Sequence, residues 1–144
     1  MNDRDSEREA PLARAALSPG LRATTHAIAE ALFTTEDGPP PEERLAWLVD
    51  DLDDFFVRAG GRALFLFRLC VVAISVIAPL LVGKLAPFRA LGQADRLRAL
   101  ERLERSPLAL AIFGAKTTLC ILYYEHPGAA EEVGFDGSCL RGEP

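Results

Sequence analysis

The chain has 144 residues, of which 49% are hydrophobic and 26% charged, and these proportions suit one folded domain with a packed core. Its formal net charge is −5, and the first 60 residues hold 13 acidic against 6 basic side chains. Nucleic-acid binding needs a clustered basic face, whereas the arginines between positions 96 and 105 alternate with acidic residues. The sequence therefore argues against a nucleic-acid partner.

Cysteine usage and the N-terminus both bear on the cellular compartment. Cys70, Cys120 and Cys139 are far apart and form no CxxC pair, which favours a reducing compartment over a disulfide scaffold or a zinc site. Residues 1–16 contain no apolar run and no Arg-Arg pair, so we expect a disordered lead-in and no signal peptide. These features predict a cytoplasmic protein, or one peripheral to the inner face of the membrane.

Two amphipathic helices are predicted in the first half of the chain. Ser18-Pro19 is a typical helix start, with serine at the N-cap and proline in the first turn, and apolar residues follow at helical spacing to Phe33. Residues 34–43, TTEDGPPPEE, are predicted to form a stiff linker because their prolines fix extended backbone. A second helix is predicted over 41–57, with aspartates at 50, 51, 53 and 54 on its polar face.

The most apolar stretch of the chain is residues 62–82, RALFLFRLCVVAISVIAPLLV. A helix of this length extends about 30 Å, which is enough to cross a bilayer, but it equally suits the central helix of an all-helical domain. Gly60-Gly61 is predicted to break or bend the chain before this helix, and Pro79 to kink it near its end. Because of Arg68, Pro79 and the amphipathic neighbours, we favour a helix buried in the protein or in an interface over a spanning one.

The second half of the chain continues the helical pattern. Phe88 and Leu91 are expected to pack on the core, a charged helix is predicted over 94–105, and Ser106-Pro107 is predicted to open a further helix that runs to Tyr124. His126-Pro127 is expected to end that helix, with a turn over 129–133. The fold class is all-α: one compact domain of five or six helices over 17–138, around the very apolar helix, with 139–144 as a tail.

No set of side chains forms a recognisable catalytic, cofactor or metal site. His26 and Glu30 stand one helical turn apart, but di-metal helical bundles also need Glu-x-x-His pairs on facing helices, and the sequence has none. The four aspartates lack the glycine turn and the ligand rhythm of a calcium loop, so a solvated acidic face is the better interpretation. We therefore expect no catalytic, cofactor-binding or metal-ligating residue on this chain and no enzyme activity of its own.

Six side chains are candidate contacts for a partner or for lipid: Phe65, Phe67, Arg68, Lys116, Tyr123 and Tyr124. Arg68 stands in an apolar sequence and must reach either water or a carboxylate, since an unpaired buried charge is costly. The four aspartates of the preceding helix could supply that carboxylate if the two helices pack antiparallel. Lys116 lies in an otherwise apolar helix, and the aromatic side chains are typical of core or interface packing.

Three segments, taken in order, carry a family resemblance: LSPGLRATTHAIAEALF (17–33), the apolar run, and FRALGQADRLRALERLERSPLALAIFGAKTTLCILYYEHPGAAEEVGFDG (88–137). The chain resembles the gluconate 2-dehydrogenase subunit 3 family and the helical N-terminal region of long-chain-alcohol-oxidase-like flavin oxidoreductases of the glucose–methanol–choline (GMC) class. The residues concerned are packing and turn residues rather than a catalytic signature. In 88–137 they include Ser-Pro-Leu, an Ala-Lys in an apolar helix, Tyr-Tyr and a closing Gly-Phe-Asp-Gly.

The resemblance implies a non-catalytic accessory subunit that associates with an FAD-dependent GMC-type oxidoreductase acting on an alcohol or sugar-like substrate. The FAD would be held by the partner and not by this chain, and the 62–82 helix with its neighbours would complete the partner's surface or guard access for an apolar substrate. Two alternatives need no enzyme partner. One is a helical protein associated with a membrane surface, and the other is a carrier of an apolar ligand such as a lipid.

Overall fold

The computed structural model describes residues 16–134, most of which are helical. Within these residues six α-helices and a 3-10 turn follow one another: α1 (Pro19–Phe33), α2 (Glu42–Ala59), α3 (Gly61–Leu81), the turn Phe88–Ala90, α4 (Gln93–Glu104), α5 (Ala109–Tyr123) and α6 (Pro127–Glu132). No strand occurs within 16–134, and the helices form one compact domain, so the predicted fold class is confirmed. The predicted lead-in before Ala16, the predicted tail over 139–144 and most of the GFDGS segment lie outside the described residues.

The boundaries of α1 and α2 lie close to the predicted ones, and the two helices pack against each other. Ser18 caps α1 by accepting a hydrogen bond from the Leu21 N–H at 3.3 Å, and Pro19 occupies the first turn. After α1 the chain reverses through a tight turn in which the backbones of Thr35 and Gly38 exchange two hydrogen bonds of 3.0 Å. This turn places the apolar stripes of α1 and α2 in the same core, where Ile28, Leu48 and Leu52 are fully buried.

A single residue separates α2 from α3. Gly60 has φ of 93°, a left-handed conformation that favours glycine, and its N–H caps α2 by donating to Phe56 O at 3.1 Å. The chain can therefore turn within one residue, and α3 begins at Gly61. The aromatic rings of Phe56 and Phe67 meet across this turn with centroids 4.9 Å apart.

α3 holds the central position that its hydropathy predicted. It packs against α1, α2, α4, α5 and the 3-10 turn, and its inner face (Phe67, Val71, Ile74 and Ala78) is buried. Pro79 lies within α3 near its end, is itself buried, and is followed by two more helical residues. The opposite face of the helix is exposed, however, so α3 is only half buried in the protein.

Two residue pairs differ from their predicted roles, namely Ser106-Pro107 and His126-Pro127. Ser106 does not cap α5, because α5 begins at Ala109 with Leu108 at its N-cap position; instead the Ser106 hydroxyl closes a turn by donating to Leu103 O at 2.7 Å. His126 was expected only to end the preceding helix, but it also starts α6. Its ring Nδ1 accepts the Gly128 N–H at 3.1 Å, and Pro127 fills the first turn.

Candidate functional site

The outer face of α3 is an exposed apolar surface that runs most of the length of the helix. Its members recur at helical spacing: Phe65, Leu66, Leu69, Val72, Val76 and Leu80. Each of these side chains is between 50% and 64% exposed, and fewer than a third of the residues in the most apolar stretch of α3 are buried. A soluble domain normally turns such residues inward, so this face is the first candidate for a contact surface.

The outer face of α5 is a second exposed apolar surface. It consists of Leu110, Phe113, Ile121 and, just past the helix end, Tyr124, whose exposures range from 43% to 78%. Thr117 lies in the middle of this face and is exposed. Lys116 lies beside it and donates to Glu104 Oε1 at 3.1 Å, so both signs of charge border the face.

α3 and α5 pack directly against each other at a narrow point. A Cβ on Gly114 would lie 3.2 Å from Cys70 Sγ, which is closer than most Cβ contacts in proteins, so glycine permits the approach of the two helices here. Burial raises the pKa of the Cys70 and Cys120 thiols, which therefore stay protonated at neutral pH and behave as small apolar side chains. The two outer faces thus belong to one pair of contacting helices.

Arg68 lies on the surface and not against the acidic residues of α2. Its residue is exposed, and no carboxylate within 16–134 forms an ion pair with it. Two of the four possible partners are engaged elsewhere, because Asp50 bonds to Arg22 of α1 and Asp53 accepts the Leu17 N–H at 2.7 Å. The hypothesis that the aspartates of α2 neutralise Arg68 is therefore wrong, and water satisfies its charge.

The other predicted contact residues divide into surface and core. Phe65, Lys116 and Tyr124 are exposed, together with Arg68. Phe67 and Tyr123 are each only 4% exposed, so they cannot present themselves to a partner on this surface. Phe67 packs on Phe56, and Tyr123 stacks on Phe33 with ring centroids 3.8 Å apart.

Sequence analysis missed a buried arginine that connects three helices. Arg44 of α2 is almost fully buried, and its Nη1 donates to Tyr123 Oη at 3.1 Å and to Glu132 Oε2 at 3.0 Å. The guanidinium also lies 5.7 Å from the centre of the Tyr123 ring. Arg44 precedes Leu48 by four residues, so its position on the apolar stripe of α2 was the available sign of burial.

The electrostatic consequence of this contact appears on both partners. The hydrogen bond to Glu132, and next the one to Tyr123, raises the pKa of the Arg44 guanidinium above its already high normal value. The same hydrogen bond lowers the pKa of the Glu132 carboxyl below its ordinary value, although that carboxylate is 62% exposed. The contact fixes α6 against α2 and α5 and has the features of a structural ion pair rather than a catalytic one.

His26 and Glu30 of α1 have separate partners. His26 Nε2 lies 2.8 Å from Glu42 Oε1 and so does not pair with Glu30, which instead accepts from Arg96 Nη1 at 3.1 Å. Within 16–134 the structure contains no cluster of three or more His, Cys, Asp or Glu side chains that could hold a metal ion.

These features define a small all-helical protein whose most unusual property is an exposed apolar surface on two packed helices. Within the described residues, α3 is the one unbroken helix long and apolar enough to cross a bilayer, which by itself is weak evidence because core helices pass the same criterion. Comparison of the chain with protein families, with curated proteins and with solved structures finds no match.

Proposed function

We propose that this protein is a non-catalytic accessory subunit that docks an exposed apolar surface on a larger partner, an FAD-dependent oxidoreductase of the GMC class. The observation that carries the proposal is the exposed apolar outer face of α5. Monomeric proteins rarely leave contiguous apolar patches of more than a few hundred Å² in water, and patches of that kind commonly mark protein–protein or membrane contacts. The GMC class of the partner rests on the order of packing and turn residues over 17–33 and 88–137.

The outer face of α5 is the part of the surface that best suits a protein partner. It combines the rings of Phe113 and Tyr124 with a polar residue, Thr117, and it is bordered by both Lys116 and Glu104. Protein–protein interfaces are enriched in aromatic residues and have polar groups at their rim. α5 also lies inside the 88–137 segment, where the resemblance is strongest.

In this proposal the chemistry belongs to the partner. The partner would hold the FAD and the groups that act on an alcohol or sugar-like substrate, and this chain would stabilise the partner or shape access to its substrate. The exposed aromatic residues of α5 would become buried at the interface, where a few well-packed side chains account for most of the binding energy. We place the complex in the cytoplasm or on the inner face of the membrane.

A pull-down from the native host without detergent tests the proposal. We expect the tagged chain to recover a much larger second chain whose eluate shows flavin absorption bands. Ile121→Asp should abolish that recovery, because it places a charge within the apolar outer face of α5. Val76→Asp is the matched control, since Val76 and Ile121 have similar exposures of 57% and 61% but lie on different helices.

The results separate this function from its rivals. A colourless eluate that contains only the tagged chain would contradict a stable flavoprotein complex. Loss of the flavoprotein with Val76→Asp but not with Ile121→Asp would instead transfer the partner site to α3.

An apolar-ligand carrier has less support from the geometry. Such a protein needs an enclosed apolar cavity, usually of several hundred Å³. The grooves that the structure describes are open to solvent; one of about 400 Å³ between α1 and α2 is bordered by Arg22, His26 and Asp50. A lipid that copurifies at one per chain would be the observation in its favour.

A further inference from the structure

We propose that the outer face of α3 binds the surface of a bilayer rich in anionic lipid, with the helix lying parallel to the membrane rather than crossing it. This inference concerns α3 and does not depend on the flavoprotein partner proposed for α5. It rests on three properties of the described residues: the distribution of charge along the chain, the burial of the inner face of α3, and the composition of its outer face.

The charge distribution is the first argument. Residues 55–94 contain five basic side chains and no Asp or Glu, a net charge of +5, whereas the other 104 residues hold 11 basic and 21 acidic side chains, a net charge of −10. The segment that contains α3 is therefore the longest stretch without an acidic residue in an otherwise acidic protein. The five basic residues are Arg58, Arg62, Arg68, Lys84 and Arg89.

Three of these charges border the apolar surface. Arg62 lies in line with Leu66 and Leu69 on the outer face, and Arg68 lies at its edge next to α1; both are exposed. Lys84 follows the other end of α3 and is half exposed, although Asp95 Oδ2 lies 3.9 Å from its Nζ. Cations at both ends of an apolar strip about 24 Å long can contact lipid phosphates while the strip enters the acyl boundary.

The inner face of α3 excludes a spanning arrangement in this fold. Val71, Ile74 and Ala78 are at most 1% exposed and hold α3 against four other helices and the 3-10 turn. To cross a bilayer, α3 would have to leave that core and expose the apolar stripes of its neighbours. A helix that keeps its inner face in the protein and offers only its outer face can reach a depth of roughly 5–10 Å in the interface.

The composition of the outer face of α3 suits lipid better than the outer face of α5 does. Its members are one Phe and five Leu or Val, with no polar side chain among them, whereas the outer face of α5 has Thr117 at its centre and Glu104 nearby. Leu85, which is 96% exposed beside Lys84, extends the apolar strip past the helix end. An apolar strip with basic residues at its ends and no acidic residue within it is complementary to anionic lipid headgroups over acyl chains.

Vesicle co-sedimentation of the purified full chain tests the inference. The probes are vesicles of phosphatidylcholine alone and vesicles in which about a third of the lipid is phosphatidylglycerol. We expect binding to the anionic vesicles only, weakened by salt. Arg68→Gln should weaken binding about fivefold, and Val76→Asp by roughly tenfold or more. The controls are Arg105→Gln and Ile121→Asp, which change an exposed arginine on the loop after α4 and an exposed apolar residue on α5 and should leave binding unchanged.

Each outcome decides the proposal. Equal binding to both kinds of vesicle, no binding, or equal loss with Val76→Asp and Ile121→Asp would overturn it, provided that circular dichroism shows the variants to be folded. Protein that resists extraction by high salt and alkaline carbonate would also overturn it in favour of a spanning helix. If the protein does not bind vesicles but Val76→Asp prevents recovery of the flavoprotein, the outer face of α3 is an interface with a protein. If the flavoprotein is never recovered while the vesicle results are as expected, the function proposed for α5 fails and this inference stands.

Discussion

α2 and α3 are neighbours in the chain, joined through Gly60, and have similar lengths of 18 and 21 residues. Each buries one apolar stripe in the same core, with Leu48 and Leu52 of α2 and Val71 and Ile74 of α3 all at most 1% exposed. Their outer faces are opposite in character. α2 exposes charged residues such as Asp50, whereas α3 exposes six large apolar side chains.

This difference shows which part of α3 the fold requires. α2 is anchored by its inner stripe alone, and its polar outer face is compatible with the same core. By analogy, the inner face of α3 is sufficient to hold α3 in the fold. Its apolar outer face is not needed for that purpose, because α2 is held without one. An apolar surface that folding does not require is best explained by a contact outside the described chain, which is the basis of both proposals.

The largest expected effect is on stability, from truncation of the inner faces. Ile74→Ala in α3 and Leu48→Ala in α2 should each lower the free energy of unfolding by about 2–5 kcal/mol, because both side chains are fully buried and a cavity would remain. Urea denaturation followed by circular dichroism measures this change. A loss below about 1 kcal/mol for Ile74→Ala, with the expected loss for Leu48→Ala, would show that α3 is not anchored as α2 is.

Gly114→Leu should have a somewhat smaller effect, about 1–3 kcal/mol, because the new side chain must displace α3 from α5 at Cys70. The same denaturation experiment measures it, and Gly92→Leu is the control, since a Cβ at Gly92 meets nothing within 4 Å. Combining Gly114→Ala with Cys70→Ala should be milder than Gly114→Leu, because the smaller pair relieves the close contact. Equal losses at Gly114 and Gly92 would mean that the α3–α5 contact is loose.

The sequence was sufficient to predict the fold class and most helix boundaries, because local patterns determine them. The N-cap at Ser18, the break at Gly60 and the apolar stripes of α1 and α2 all depend on residues close in sequence. The sequence could not show which side of α3 faces the core, because nearly every residue of α3 is apolar and its periodicity is weak. Only the arrangement of the other helices determines that side.

The candidate site was less predictable for the same reason. Phe65 and Phe67 are two residues apart in a uniformly apolar helix, yet one is 64% exposed and the other 4%. Tyr123 and Tyr124 divide in the same way, since Tyr123 packs in the core and Tyr124 lies at the surface. Contacts between distant segments, such as the one between Arg44 and Glu132, have no local pattern in the sequence at all.

The contact between Arg44 and Glu132 predicts that the stability of the fold depends on pH. This dependence does not involve α3. Because Arg44 lowers the pKa of Glu132 in the folded protein, this carboxylate stabilises the fold above its ordinary pKa, and the contribution is lost as the pH falls through the lowered value. Glu132→Gln should therefore lower stability near neutral pH, and its difference from wild type should shrink in acid. Thermal melts from neutral to acid pH measure this. A difference that stays constant with pH would contradict it, and Glu131→Gln on the same helix is the control.

The smallest expected effect on stability is also the one on which the comparison of α2 with α3 depends most. Leu69→Gln and Val76→Thr make the outer face of α3 more polar, like that of α2, and should change the free energy of unfolding by no more than about 0.5 kcal/mol, since both side chains are more than half exposed. Urea denaturation measures the change, and Leu110→Gln on α5 is the matched control. A loss of several kcal/mol at Leu69 or Val76 would show that the outer face of α3 is part of the core in solution, and membrane binding by that face would then be untenable. Unchanged stability with weaker vesicle binding would instead show that this face is needed for binding and not for folding.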